Sequence, residues 1–229
     1  AFAYELAVII QDGIRRMYKE QEHIFYYITV MNENYPQPPM PDKKYVHDGI
    51  LNGIYKYKPG KPSADHEVQL FGSGTILNRV LKAQDILADQ YNIKADVWSV
   101  TSYKELHYDA FQCDRWNMFH PDKQAKTPFI TRTLKDANGP VIAASDYVRA
   151  LPESISKWIP NKMLSLGTDG FGRSDGRAHL RSFFEVDEYY ICYAALYMLY
   201  QEKKIKAADL KKAIKDLNID PDKANPVTT

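Results

Sequence analysis

Three groups of residues in this sequence have types and spacings that could do chemistry. The first is Gly72-Ser73-Gly74-Thr75, placed where an apolar run hands over to a helical pattern. Free N–H groups and the positive end of a helix dipole at such a junction can hold a phosphate. A dinucleotide fingerprint would need a third glycine at position 77, which is Leu77, and no Gly-Lys-Ser/Thr follows. The plainer expectation is a tight turn in which Ser73 or Thr75 caps the helix. The second group is the loop Asp169, Gly170, Phe171, Gly172, Arg173, Ser174 and Asp175, flanked by Gly167 and Gly176. So much glycine implies backbone shapes that other residues resist. Asp169, Arg173 and Asp175 offer a carboxylate–guanidinium site, but their spacing is not that of an EF-hand. This loop is expected either to dock on another domain or to touch a ligand. The third is a tyrosine stripe, Tyr189, Tyr193 and Tyr197, at helical spacing. Tyrosine suits surfaces that are apolar with a wet edge, so core or subunit interface is the expectation.

Other reactive types are scattered. The six histidines show neither His-Glu-x-x-His nor close pairing, and no Gly-x-Ser-x-Gly elbow occurs. Cys113, beside Asp114 and Arg115, reads as buried rather than reactive. Trp116 to Phe119 reads as an aromatic packing anchor. Cys113 and Cys192 form no Cys-x-x-Cys pair, so a reducing cytoplasm is the default. The 30 basic and 29 acidic residues leave a net charge of +1, which gives no reason to expect nucleic acid or an anionic membrane as partner. No apolar stretch reaches the roughly 18 residues of a spanning helix. The start carries a charge early and no initiator methionine, and reads as a chain cut from something longer.

The elements that must position these groups follow from periodicity. Phe2, Leu6, Ile9, Ile10, Ile14 and Met17 recur as on an amphipathic helix. Residues 24–30 are β-branched and aromatic and predict a buried strand. Residues 32–41 and 58–65 are broken by prolines and predict a domain boundary. Beyond residue 66, strands are expected at 68–71, 96–101, 129–133, 141–144 and 163–166. Helices are expected at 76–91, 103–111, 147–158, 177–184, 188–200 and 207–217. Strands alternating with helices predict a largely parallel sheet covered on both faces.

Several stretches together resemble one family. They are Ile9-Ile10-Gln11-Asp12-Gly13, residues 26–35 (Tyr26-Tyr27-Ile28-Thr29-Val30 onward), Val68-Gln69-Leu70-Phe71-Gly72-Ser73-Gly74, Asp96-Val97-Trp98-Ser99-Val100-Thr101-Ser102, Cys113-Asp114-Arg115-Trp116-Asn117-Met118, the segment from Leu166 to Asp175, and Phe184-Glu185-Val186-Asp187 with Asn218-Ile219-Asp220. In this order they resemble the carboxy-terminal end of the homodimeric type of pyruvate dehydrogenase decarboxylating subunit, a transketolase-like enzyme. The resemblance covers nearly the whole chain. It implies an α/β fold: a three-layer α/β/α sandwich with a mostly parallel mixed sheet and one antiparallel edge strand, preceded by a helix–strand remnant of the middle domain. Residues 1–35 would end the middle, pyrimidine-binding domain, 36–66 would be a linker, and 67–229 the transketolase-like C-terminal domain. It also implies a full-length bacterial cytoplasmic enzyme that uses thiamine diphosphate and Mg²⁺. That enzyme would decarboxylate pyruvate, acetylate lipoyl groups of a transacetylase partner, and act as a homodimer on the route from glycolysis to acetyl-CoA. The family's Gly-Asp-Gly metal motif is missing here. Asp-Gly occurs at 12, 48, 169 and 175, preceded by Gln11, His47, Thr168 and Ser174. The resemblance places the activating glutamate and the catalytic histidines ahead of residue 1. The expectation is therefore no catalytic, cofactor-binding or metal residue in this chain, which would support dimerisation and brace the cofactor domains. The alternative is a regulatory nucleotide- or phosphate-binding module at the carboxyl ends of the sheet.

Overall fold

The computed structural model describes residues 1–62 and 64–229; Ser63, inside the expected linker, lies outside the described residues. Five strands form one sheet in the order β1-β3-β2-β4-β5. β2 (His66–Gly72), β3 (Ile93–Val100), β4 (Val141–Ala144) and β5 (Met163–Leu166) are parallel, and β1 (Ile54–Lys58) runs antiparallel on the edge against β3.

The period-two alternation of the strands divides the core between two faces. Val68, Leu70, Ala95, Val97, Ile142 and Ala144 point to one side, where they meet Leu77, Val80, Ala83 and Leu87 of α3 (Leu77–Tyr91) and Ile191, Ala195 and Leu199 of α8 (Glu188–Gln201). α9 (Ala207–Asp216) adds Leu210 and Ala213 to that layer. Phe71, Trp98, Val100, Val141 and Ala143 point to the other side, onto Tyr103 and Leu106 of α4 (Tyr103–Phe119) and Ile130 and Leu134 at α5 (Phe129–Thr133). The chain is thus a three-layer α/β/α sandwich, as expected.

Two helix starts are written in the sequence. Ser102 accepts the Glu105 N–H at 3.1 Å, and Asp187 accepts the N–H groups of Tyr189 and Tyr190 at 3.0 Å.

Four differences from the sequence expectations have physical causes. Residues 24–30 join no strand, and Phe25 and Tyr27 are 82% and 86% exposed. A β-branched run becomes a strand only beside a partner ladder, and no described strand lies alongside. Residues 129–133 form helix α5 rather than a strand. Pro128 leads into it and Asp109 accepts the Phe129 N–H at 2.6 Å, which satisfies an otherwise orphan first-turn donor. The expected 147–158 helix is only a short turn, α6 (Ala150–Glu153), followed by a 3₁₀ turn (Ser156–Trp158). Finally, the stretch expected as a linker carries α2 (Lys44–Asn52) and β1. Val46 and Ile50 are buried one turn apart, and Gly53 closes α2 at φ +102°, where a Cβ would stand 2.5 Å from the Ser102 carbonyl oxygen. The sheet therefore starts at residue 54, ahead of the expected 67.

α1 (Ala3–Ile14) lies against α2 and β1 and brings Glu5 into the interior. Glu5 Oε1 accepts hydrogen bonds from the Tyr55 hydroxyl at 2.7 Å and the Ser99 hydroxyl at 2.5 Å, and Oε2 accepts the Phe2 N–H at 2.8 Å. The Tyr4 and Tyr55 hydroxyls meet at 2.5 Å. One carboxylate thus ties the first helix to β1 and β3, with its lone pairs spent on donors, as burial of a charge requires.

Candidate functional site

The strand order defines where a site belongs. From β2 the chain winds through α3 to β3 on one side. It then returns through α4 and α5 to β4 on the other side of β2. The carboxyl ends of β2 and β4 are therefore a topological switch point, where the loops part and leave a crevice. Here the Ser73 hydroxyl donates to the Ser145 hydroxyl at 3.0 Å. Neither Ser73 nor Thr75 caps α3, contrary to the sequence expectation: Ser73 is spent on Ser145, and Thr75 Oγ1 accepts from Arg181 at 3.3 Å. Gly72 is obligatory because a Cβ would stand 2.8 Å from the Leu77 Cα, whereas beside Gly74 nothing comes nearer than Asp146 Oδ1 at 3.9 Å.

The crevice opens into a cavity of about 290 Å³. Its far wall is a strap, residues 31–33, which lies beyond α1 in the chain and is fastened to α7 (Arg177–Phe183). Arg181 is only 8% exposed, and both its terminal nitrogens donate to the Glu33 carboxylate, with Nη1–Oε1 at 3.1 Å. A forked guanidinium–carboxylate pair of this kind fixes both partners. The Arg181 hydrogen bond holds the Glu33 carboxyl below its ordinary range. Arg177 donates to Asn32 Oδ1 at 2.7 Å. Asp146, at the end of β4, is different: its Oδ1 is buried and accepts no hydrogen bond from any described residue. Burial raises its carboxyl above the ordinary value.

The glycine-rich loop lies on the rim, and its charged residues do not converge. Asp169 pairs with Arg149 at 2.6 Å, Arg173 donates to the Thr229 carbonyl and lies over the Phe183 ring, and Asp175 faces His179 at 3.3 Å. Gly170, at φ +88°, is crowded by the Pro226 carbonyl oxygen, 2.7 Å from a Cβ position, so the loop lies tightly on the carboxy-terminal tail. Phe171 is 81% exposed. Gly172 and Arg173 line the cavity, while Ser174 and Asp175 are exposed beyond it.

On α8, Tyr189 and Tyr197 are exposed and Tyr193 is half-buried, so the stripe is the outer edge of a helix whose inner face fills the core. Cys113 is buried beside Asp109, and desolvation raises its thiol pKa, which disfavours the reactive thiolate. The Trp116 ring stacks on His120 at 4.4 Å under Lys126, but Met118 and Phe119 are exposed. Trp116 is half-buried and lies outside the core clusters, so the aromatic packing anchor expected at 116–119 is not formed. Glu5, Glu33 and Arg181 carry no local signal because their partners lie far away in sequence, Arg181 and Glu33 being 148 residues apart, and the enclosure of Asp146 Oδ1 is likewise set by distant packing.

Among the described residues no group of three or more His, Cys, Asp or Glu is placed to hold a metal ion, and no helix is long and apolar enough to cross a membrane.

Comparison with known proteins bears on this arrangement. Residues 53–187 match the family model described as transketolase-like TK C-terminal domain, and residues 1–38 match the pyruvate dehydrogenase E1 component middle domain. A pyruvate dehydrogenase E1 component of Pseudomonas aeruginosa is 48% identical over 227 residues, which is 99% of this chain and 26% of that protein. One from Escherichia coli strain K12 is 46% identical over 228 residues, again 99% of this chain and 25% of that protein. A solved transketolase from Pichia stipitis, in complex with sedoheptulose 7-phosphate, aligns with TM-score 0.48 at 17% identity, covering 75% of this chain and 22% of its own. The chain thus spans about a quarter of the length of the curated relatives it matches. The chain belongs to the transketolase-like TK C-terminal domain family, whose model its residues 53–187 match, in the form carried by relatives named pyruvate dehydrogenase E1 component.

Proposed function

We propose that this chain is the carboxy-terminal quarter of the decarboxylating subunit of a bacterial pyruvate dehydrogenase complex, and that its part there is mechanical rather than catalytic. Residues 1–35 end the domain that holds the pyrimidine of thiamine diphosphate. The remainder forms the third domain, which braces it and extends the contact with a second copy of the subunit. The observation that carries this reading is the way residues 1–35 are bound to the sheet. Glu5 locks α1 to β1 and β3, and Glu33 locks the strap to α7. The segment is thus fastened at two points, near the start of α1 by Glu5 and beyond it by Glu33, and a segment held in this way can transmit position to whatever it contacts.

The residues present do not fit thiamine diphosphate and Mg²⁺. The crevice offers one desolvated carboxyl, Asp146, and no second carboxylate to share a divalent cation, since Glu33 is spent on Arg181. In this reading pyruvate decarboxylation and acetyl transfer to lipoyl groups of the transacetylase occur on the rest of the subunit, in the bacterial cytoplasm. The contacts offered to the second copy are the exposed Phe171 and the Tyr189, Tyr193 and Tyr197 stripe. Substituting Phe171→Ala in the full-length subunit is expected to raise the dimer dissociation constant or weaken cofactor retention. Sedimentation equilibrium and cofactor titration read the two, and no change in either contradicts the bracing role.

A further inference from the structure

We propose that the crevice between the carboxyl ends of β2 and β4 binds a small organic acid with an apolar side chain and an amino or hydroxyl donor, the shared chemistry of 2-amino and 2-hydroxy acids. Five observations converge on it. The crevice lies at the switch point of the sheet, the place where parallel α/β folds present their loops to ligands. Its volume of about 290 Å³ is at the small end of the range for ligand pockets, roughly 300–1,000 Å³, which suits a small metabolite and is too little for a dinucleotide.

Its lining divides into three chemistries. Ile76, Leu180, Phe184 and Val186 supply an apolar wall. Arg173 and Arg177 stand on the rim, and Arg177, about half exposed, gives one terminal nitrogen to Asn32 and keeps further N–H donors for an anion. Asp146 Oδ1 is buried with no hydrogen-bond donor from the described residues, and it is the one atom that a Cβ at Gly74 would meet, at 3.9 Å. A buried acceptor without a partner is costly and demands an explanation, and a donor brought by a ligand supplies one.

The pairing of these features selects the ligand class. A phosphate alone would satisfy the arginines and leave Asp146 worse off, because a second negative charge would face it. A simple fatty acid would satisfy the wall and the arginines but bring no donor. An amino or hydroxyl group beside a carboxylate answers both polar demands at once, and an ammonium also neutralises the buried carboxylate. Three of the five Arg181 donors are already taken, two by Glu33 and one by Thr75, so its charge is spent on the strap. It acts as a positioning residue that keeps the strap closed over the cavity.

The test is a titration of the 229-residue chain followed by amide chemical shifts and calorimetry, with melting curves as the fold control. The probes are L-leucine and L-phenylalanine, their 2-hydroxy counterparts, 3-phenylpropionate, which lacks the donor, and inorganic phosphate. Saturable binding of an amino or hydroxy acid is expected, with shifts confined to the neighbourhood of Thr75, Asp146 and Thr168. Loss of the donor in 3-phenylpropionate should weaken binding by about tenfold or more. Asp146→Ala and Arg177→Gln should each weaken it by a similar factor of about ten without lowering the melting temperature. Whether the amino or the hydroxy series binds more tightly identifies the source. The proposal is overturned if none of these acids saturates, if phosphate or 3-phenylpropionate binds as tightly as they do, or if both variants bind like the unmodified chain. None of these readings depends on thiamine diphosphate, so failure here leaves the bracing role standing, and the reverse.

Discussion

At the scale of single residues, the carboxyl groups of this chain divide by whether their lone pairs are filled. Glu5 and Glu33 are each surrounded by donors, and both hold elements together. Asp146 is half-buried, with its Oδ1 enclosed and unbonded, and desolvation raises its carboxyl above the ordinary value of 3.8. A carboxyl whose pKa is raised by folding contributes stability that is present below the unfolded value and lost as pH rises through the folded value. Asp146→Asn removes that titration. The variant is therefore expected to melt above the unmodified chain at neutral pH, with the difference shrinking as pH falls and vanishing below 3.8. Melting curves across that range check it; a variant less stable at pH 7 would mean that Asp146 has a partner in solution. None of these three residues could be read as special from sequence. Glu5 sits in an ordinary amphipathic helix, the partner of Glu33 lies across the fold, and the enclosure of Asp146 Oδ1 is set by packing of distant segments. The glycine-rich loop was visible as unusual because glycine density is a local signal. What its charges do was not, since Asp169, Arg173 and Asp175 each turn to a different partner.

At the scale of elements, the strands that sequence located best were β4 and β5, whose bounds coincide with short apolar runs at 141–144 and 163–166. β4 is buried throughout and β5, on the sheet edge, is half-buried at three of its four positions, but both are short apolar runs set off by polar or turn residues, so composition suffices. The misread segments share a different property. Residues 24–30 and 129–133 both have β-branched composition, but whether such a run becomes a strand depends on a ladder beside it, which no local pattern reports. The opposite error hid α2 and β1. Proline blocks on both sides suggested a linker, although Val46, Ile50 and a glycine at position 53 are the signature of a short buried helix and its end.

A second backbone position sets the approach to β4. Gly139, at φ +80°, lies so close to the Glu67 carbonyl that a Cβ there would overlap it. Gly139→Ala combines a disfavoured left-handed backbone with a steric clash at the start of two central strands. It is expected to cost about 2 kcal/mol or more, readable by urea unfolding. A loss of only a few tenths would show that the turn before β4 can relax away from β2.

At the scale of the whole molecule, apolar surface is distributed unevenly. Tyr18, Phe25, Tyr27 and Val30 are between 69% and 86% exposed, all on the segment that follows α1. The sandwich beyond residue 54 buries its strands on both faces. Exposed apolar side chains clustered in this way mark a surface that another body covers. The bracing role accounts for them as the contact with the remainder of the middle domain. In the same account, α1 and the strap are the mechanical link, and the sheet is the foundation to which Glu5 and Glu33 fasten it. The fold class was legible because alternating strands and helices at this density admit few architectures. The family was legible because its segments run in order along the chain. What could not be read was the way the first 35 residues attach, because that attachment consists of long-range charge pairs.

The central claim is that these 229 residues carry no site for the cofactor of the reaction they serve. A calorimetric titration of the chain with thiamine diphosphate and Mg²⁺ tests it most directly. The account predicts no heat of binding beyond dilution, in a chain whose melting curve shows that it is folded. Stoichiometric, saturable binding would contradict it and would place a cofactor site within these residues.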